Sequence, residues 1–183
     1  SLPPAAVPRS IGKQRIMRVA TWNIFGGERS AEAPDTYRQE DQRVALRHEI
    51  LRWYRSYALD VLPLQECEDA HAMDRLEEAF DFVGSARAVE NRGYVHLYVR
   101  RGLKFEVLEN QKDYPGVSAR IFRSEGDEVE ASFVLSTIHL PTGDSSGRRK
   151  ILLEQMCGKR GEDAARLLVL GDMNAKSDEI QRL

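Results

Sequence analysis

Cysteine is scarce in this chain: there are two in 183 residues, Cys67 and Cys157. They form no Cys-x-x-Cys pair and no Cys/His zinc spacing, which excludes a zinc ribbon or a disulfide scaffold and points to reduced thiols in an intracellular protein. Long apolar runs are also lacking. No stretch approaches the roughly 18 residues a membrane-spanning helix needs, and there is no signal-peptide pattern. Charge of one sign is missing as well: 27 basic residues face 29 acidic ones, for a net charge of −2. A dedicated nucleic-acid coat is usually basic, so any contact with a polyanion here must be local or helped by a metal. What remains is ordinary for a globular domain, with 42% hydrophobic and 31% charged residues.

Residues 1–15 hold Pro3, Pro4 and Pro8 and little apolar periodicity, and read as a flexible lead-in. Residues 16–183 read as one domain. The first strand is expected over Met17–Trp22, followed by a polar loop over Gly26–Thr36 and a helix over Gln39–Tyr57. Val44, Ile50, Leu51, Tyr54 and Ala58 would form the helix's buried stripe. Leu59–Leu64 reads as a second strand despite Pro63, which cannot donate to a ladder. A short helix is expected over Ala70–Phe80 with Met73, Leu76 and Phe80 inward. Strands are expected over Tyr94–Val99, Phe105–Leu108, Ser132–Ile138 and Leu167–Leu170, and a helix over Gly147–Met156. Continuous apolar strands mixed with helices predict an α/β layered domain.

Four of these strands end abruptly in a group that can handle a metal or a phosphate. The first ends in Asn23, the second in Gln65-Glu66, the third in His139, and the last in Asp172 with Asn174 two residues later. Ligand sites in α/β proteins gather beyond the carboxyl ends of strands. Side by side, these ends would put two carboxylates, two amides and an imidazole on one rim. That inventory suits a hard divalent cation and phosphoryl transfer, which needs positioning and charge stabilisation more than covalent help. Glu66 would hold the metal, and Asp172 would orient or deprotonate a water. Asn23 and Asn174 would donate to phosphate oxygens, and His139 would donate to a non-bridging oxygen. Taken singly, each residue has an ordinary explanation. Glu66 could be a solvated loop carboxylate, Gly171-Asp172 a turn, Asn23 a loop cap and His139 a core histidine. The ordered coincidence carries the reading.

These residues resemble the endonuclease/exonuclease/phosphatase superfamily. Thr21-Trp22-Asn23 with Gly26-Gly27 resembles its first motif, Leu64-Gln65-Glu66 its metal-ligand motif, Thr137-Ile138-His139-Leu140 its histidine-bearing strand, and Gly171-Asp172-Met173-Asn174 its Gly-Asp-x-Asn motif. The likeness runs from Arg18 to about Ile180. It implies a DNase I-like fold, a four-layer αββα sandwich, and hydrolysis of phosphate esters with Mg²⁺ or Mn²⁺. Glu66 and Asp172 would then be metal ligands, and Asn23, His139, Asp172 and Asn174 catalytic. Within the superfamily, Gly93-Tyr94, Gly147-Arg148-Arg149 and Asp178-Glu179-Ile180 look nearest to the type 2 tyrosyl-DNA phosphodiesterases. That favours nucleic acid or a nucleic-acid adduct as substrate over an inositol phosphate or a sphingolipid. Three departures stand out. The family's final Ser-Asp-His segment has no match, so the domain is expected to be truncated at its C-terminus, its remainder supplied by a longer chain or a partner chain; the alternative is an impaired binding or regulatory module or an inactive fragment of the same fold. Pro63 interrupts a strand, and Ile138 stands where a polar residue is common. Arg148 and Arg149 are candidates to grip a phosphate and Tyr94 to stack on a base, although such aromatics are more often core.

Overall fold

The structure, a computed structural model, describes residues 17–24, 39–88, 93–108, 115–125, 128–140, 147, 150–152 and 166–172. In chain order the described elements are β1 (Trp22–Asn23), α1 (Gln39–Tyr57), β2 (Val61–Cys67), a 3₁₀ turn (Leu76–Glu78), β3 (Phe80–Arg87), β4 (Tyr94–Arg100), β5 (Phe105–Leu108), β6 (Gly116–Glu125), β7 (Glu128–His139) and β8 (Leu167–Asp172). Gly147 and Lys150–Leu152 are helical. No described helix is long and apolar enough to cross a membrane.

Alternation along the strands explains how the elements stack. Two four-stranded sheets form, ordered β1-β2-β4-β3 and β5-β6-β7-β8. Val61, Leu97 and Val99 of the first sheet pack against Val117, Ala119, Ile121 and Leu135 of the second, giving an inter-sheet core. The opposite face of the first sheet shows Leu62, Leu64, Phe80 and Tyr98, which bury Ile50 and Leu51 of α1. The opposite face of the second sheet carries Ile138, Leu167 and Val169 with the helical Leu152. Helix, sheet, sheet and helix therefore form four layers, as the resemblance implied. Each fully buried Leu, Ile or Val contributes on the order of 1.5–3 kcal/mol.

Several boundaries differ from the sequence reading. The first strand is a single Val19–Val61 bridge followed by the two-residue β1. Pro63 explains the split. Val61 and Gln65 bond to this neighbour through Val61 N–H to the Arg18 carbonyl and Ile24 N–H to the Gln65 carbonyl. By alternation, Pro63 faces the same neighbour and has no N–H to give it. Toward β4 the ladder continues through the Pro63–Leu97 pair. In α1, Val44 is exposed rather than part of the stripe, and Ala58 lies past the helix end with a left-handed φ of 49°.

The expected Ala70–Phe80 helix is replaced by the 3₁₀ turn and the start of β3. Leu76 and Phe80 are buried as expected. The backbone groups that would close helical turns are instead taken by side chains of the sheet: the Ala70 carbonyl by Ser85 Oγ and the Met73 N–H by Tyr98 Oη. β3 and β6 were not anticipated, and β7 begins earlier than expected. Most of the expected Gly147–Met156 helix lies outside the described residues.

Candidate active site

The alternation that builds the core also aims the site. On β7, His139 has the parity of Leu135, which faces the other sheet; on β8, Asp172 has the parity of Leu170, which does the same. On β1, Asn23 has the parity of Val19, whereas Trp22 turns outward to stack on Trp53 at 4.6 Å between ring centroids. Three of the four groups therefore point between the sheets without any irregularity.

Glu66 would not, were β2 regular. It has the parity of Leu62 and Leu64, which face α1. Opposite β4, however, Leu64 pairs with His96 and Cys67 with Tyr94, so three steps on β2 match two on β4. This bulge returns Cys67 to the α1 side and turns Glu66 inward. Glu66 takes a left-handed φ of 59° in it.

Neighbouring strands keep the four groups in register. β7 and β8 run parallel with His139 beside Asp172, and Leu140 N–H bonds the Asp172 carbonyl at 2.9 Å. β1 and β2 run parallel with Asn23 beside Gln65. β8 touches both β1 and β2, so the two sheets meet at this rim. Gly171 lets β8 lie this close to β7: its φ is +141°, and a Cβ there would lie 1.8 Å from the Ile138 carbonyl oxygen.

Asn23 Nδ2 donates to Glu66 Oε1 at 3.0 Å and to Asp172 Oδ2 at 2.9 Å. His139 Nε2 lies 3.6 Å from Glu66 Oε1 and 3.8 Å from Asp172 Oδ2. Glu66 and His139 are buried, while the Asp172 side chain is 30% exposed, which leaves the cluster open on one side. One ligand atom from each of Glu66, His139 and Asp172 falls within 4.8 Å of the others. Two carboxylates converging on one amide nitrogen favour a cation between them by Coulomb's law. Oxygen donors suit a hard divalent ion, and the adjoining imidazole also admits Mn²⁺, so the donor set fits the metal that the resemblance implies.

The sequence model of the endonuclease/exonuclease/phosphatase family matches residues 20–183. The chain belongs to this family. No curated protein matches it significantly. Among solved structures, TDP2 from D. rerio in complex with a single-strand DNA product is similar at a TM-score of 0.60 and 18% identity, covering 91% of this chain and 64% of that one. TDP2 from C. elegans is similar at 0.59 and 18%, covering 89% and 48%. A truncated form of the C. elegans protein gives 0.58 and 18%, covering 88% and 63%. The family member described here thus spans less than two thirds of the length of these structures. They share its fold, and they fall in the subgroup that the motifs of the sequence had suggested.

Of the other candidates, Tyr94 is half-buried and packs with the α1-side cluster, not among the four rim groups. Asn174, Arg148 and Arg149 lie outside the described residues, as do Gly26–Thr36 and Lys176. Thr21 and Gln65, to which the sequence assigns no individual role, also join the site. Gln65 is buried, and its Nε2 donates to Thr21 Oγ1 at 3.0 Å, tying β2 to β1 directly beside Glu66 and Asn23.

Proposed function

We propose that this family member hydrolyses phosphate esters with a divalent cation, as a phosphodiesterase or nuclease acting on nucleic acid or a nucleic-acid adduct. The observation that carries the reading is the convergence of Glu66, Asp172, Asn23 and His139 from two sheets onto one rim, with both carboxylates on a single amide nitrogen. Glu66 and Asp172 would hold Mg²⁺ or Mn²⁺. When bound, such an ion offsets phosphate charge and stabilises the charge that develops during displacement.

The chain's own groups would do the rest. Asp172, the more exposed carboxylate, orients the attacking water and takes its proton. Asn23 keeps both carboxylates in place and, with Asn174, offers amide N–H groups to phosphate oxygens. His139 donates to a non-bridging oxygen as negative charge accumulates. Arg148, Arg149 and Tyr94 would contact substrate beyond the scissile bond. The DNA product bound to the D. rerio relative favours nucleic acid as the substrate class. Residues 16–183 would act as one domain, in an intracellular setting that suits the buried free thiol of Cys67.

The test is Mg²⁺-dependent hydrolysis of a panel: a labelled oligonucleotide, a 5′-tyrosyl oligonucleotide, an inositol phosphate and sphingomyelin. Turnover of one of the two nucleic-acid substrates, lost in Glu66→Ala, is expected. Turnover confined to the inositol phosphate or sphingomyelin would overturn the substrate class. Phosphate-ligand binding without turnover of any substrate would overturn the enzymatic reading in favour of a binding module.

A further inference from the structure

The segment that follows Glu66 is fastened to the sheet by a closed set of hydrogen bonds. His96 Nε2 lies 2.7 Å from the Asp69 carbonyl oxygen. A carbonyl only accepts, so the imidazole proton is on Nε2 and Nδ1 carries a lone pair. Tyr98 Oη, 3.1 Å from Nδ1, donates to it and in turn accepts the Met73 N–H at 2.9 Å. Every proton in this chain of bonds has an acceptor, and both rings are buried.

These bonds act where the backbone is strained. His96 stands opposite Leu64, at the near side of the bulge that displays Glu66. A left-handed non-glycine residue costs roughly 1–3 kcal/mol and persists when its surroundings over-determine it. On the far side, Gly93 lets β4 approach so closely that a Cβ would lie 2.5 Å from the Cys67 carbonyl oxygen.

We propose that His96 and Tyr98 are positioning residues for the candidate site: by anchoring the backbone from Asp69 to Met73, they hold the bulge that turns Glu66 toward Asp172 and His139. The inference rests on the proposed function only for what Glu66 does once it is placed. Tyr98 packs in the α1-side cluster, with the His96 ring 5.9 Å from it between centroids. Their effect runs through the chain from Met73 back to Glu66.

The test uses the full chain without metal for amide hydrogen exchange, and the same samples for Mn²⁺ affinity. The variants are Tyr98→Phe, His96→Leu and His96→Gln; the glutamine amide can replace the Nε2 donor. In Tyr98→Phe and His96→Leu, exchange at the Glu66 and Cys67 amides is expected to rise, not just that of Met73, whose acceptor is removed in Tyr98→Phe. Mn²⁺ affinity is expected to fall about tenfold, about 1.4 kcal/mol. His96→Gln should restore most of both. Ile121→Val, in the inter-sheet core, controls for general loosening and should change neither. If His96→Leu does not fold, Tyr98→Phe decides. Wild-type exchange at Glu66 and Cys67 in folded Tyr98→Phe would overturn the proposal. A wild-type chain that binds no Mn²⁺, yet shows the exchange effect, would overturn the metal-site reading and still support the anchoring role.

Discussion

Strand β2 has a buried acid at each end, and the protein treats the two differently. Asp60, 3% exposed, immediately precedes the strand. It accepts the Arg18 backbone N–H at 3.0 Å and pairs with the Arg100 guanidinium at 2.8 Å. Glu66, 4% exposed, lies near the other end and meets an amide, an imidazole and, across the Asn23 amide, a second carboxylate. The backbone differs too: the ladder to β4 is regular from Val61 to Leu64 and bulged between Leu64 and Cys67. A buried acid closed by a resident guanidinium completes a structural joint. A buried acid turned by a strained bulge toward another acid leaves charge to be balanced, which is what a cation site requires.

Substitutions at the two ends should therefore separate folding from activity. The largest effect expected is at Glu66: Glu66→Ala should lower metal-dependent hydrolysis about 10³-fold, while the urea midpoint stays unchanged or rises because one of two converging carboxylates has been removed from a buried position. Loss of folding in parallel with activity would erase the contrast. Next is Gly171→Ala on the opposing sheet. Forcing a Cβ against the Ile138 carbonyl should cost about 4 kcal/mol in chemical denaturation and weaken Mn²⁺ binding, because β7 and β8 must part beside His139 and Asp172. Arg100→Leu should cost about 3 kcal/mol by leaving Asp60 buried without its guanidinium, yet the folded fraction should bind Mn²⁺ normally.

The smallest effect concerns pH. Burial holds His96 below the ordinary imidazole value of 6.5, so the folded protein keeps it neutral while the unfolded chain takes up a proton. The unfolded state then binds more protons below that pH. Stability should be level above about pH 6.5 and fall beneath it, by at most about 1.4 kcal/mol per pH unit for this one group. His96→Gln should flatten that part of the curve, measured by urea denaturation at several pH values.

Much of the site was legible because its residues cap strands that are themselves legible. Asn23, His139 and Asp172 follow apolar runs whose period-two pattern survives in the fold. The helix Gln39–Tyr57 and the strand Phe105–Leu108 have the bounds their sequences suggest. What the sequence did not show is how Glu66 comes to face inward, since a bulge is a mismatch between two strands and leaves no period of its own. β6 was missed because its inward residues, Val117, Ala119 and Ile121, alternate with small or charged side chains and include only two of bulk. The Ala70–Phe80 segment has helical spacing, but its backbone partners come from Ser85 and Tyr98, residues that no local pattern brings near. His96 belongs to no recognisable motif and gains its place from the register of β4 on β2.

The most direct measurement is a titration of the full chain with Mn²⁺, by calorimetry, for wild type, Glu66→Gln and Asp172→Asn. If two sheets build one cation site, the wild type will bind an ion at the rim, and each single substitution, made on a different sheet, will abolish that binding with the fold retained. Undiminished Mn²⁺ binding in either folded variant would contradict a shared site and, with it, the central reading of this rim.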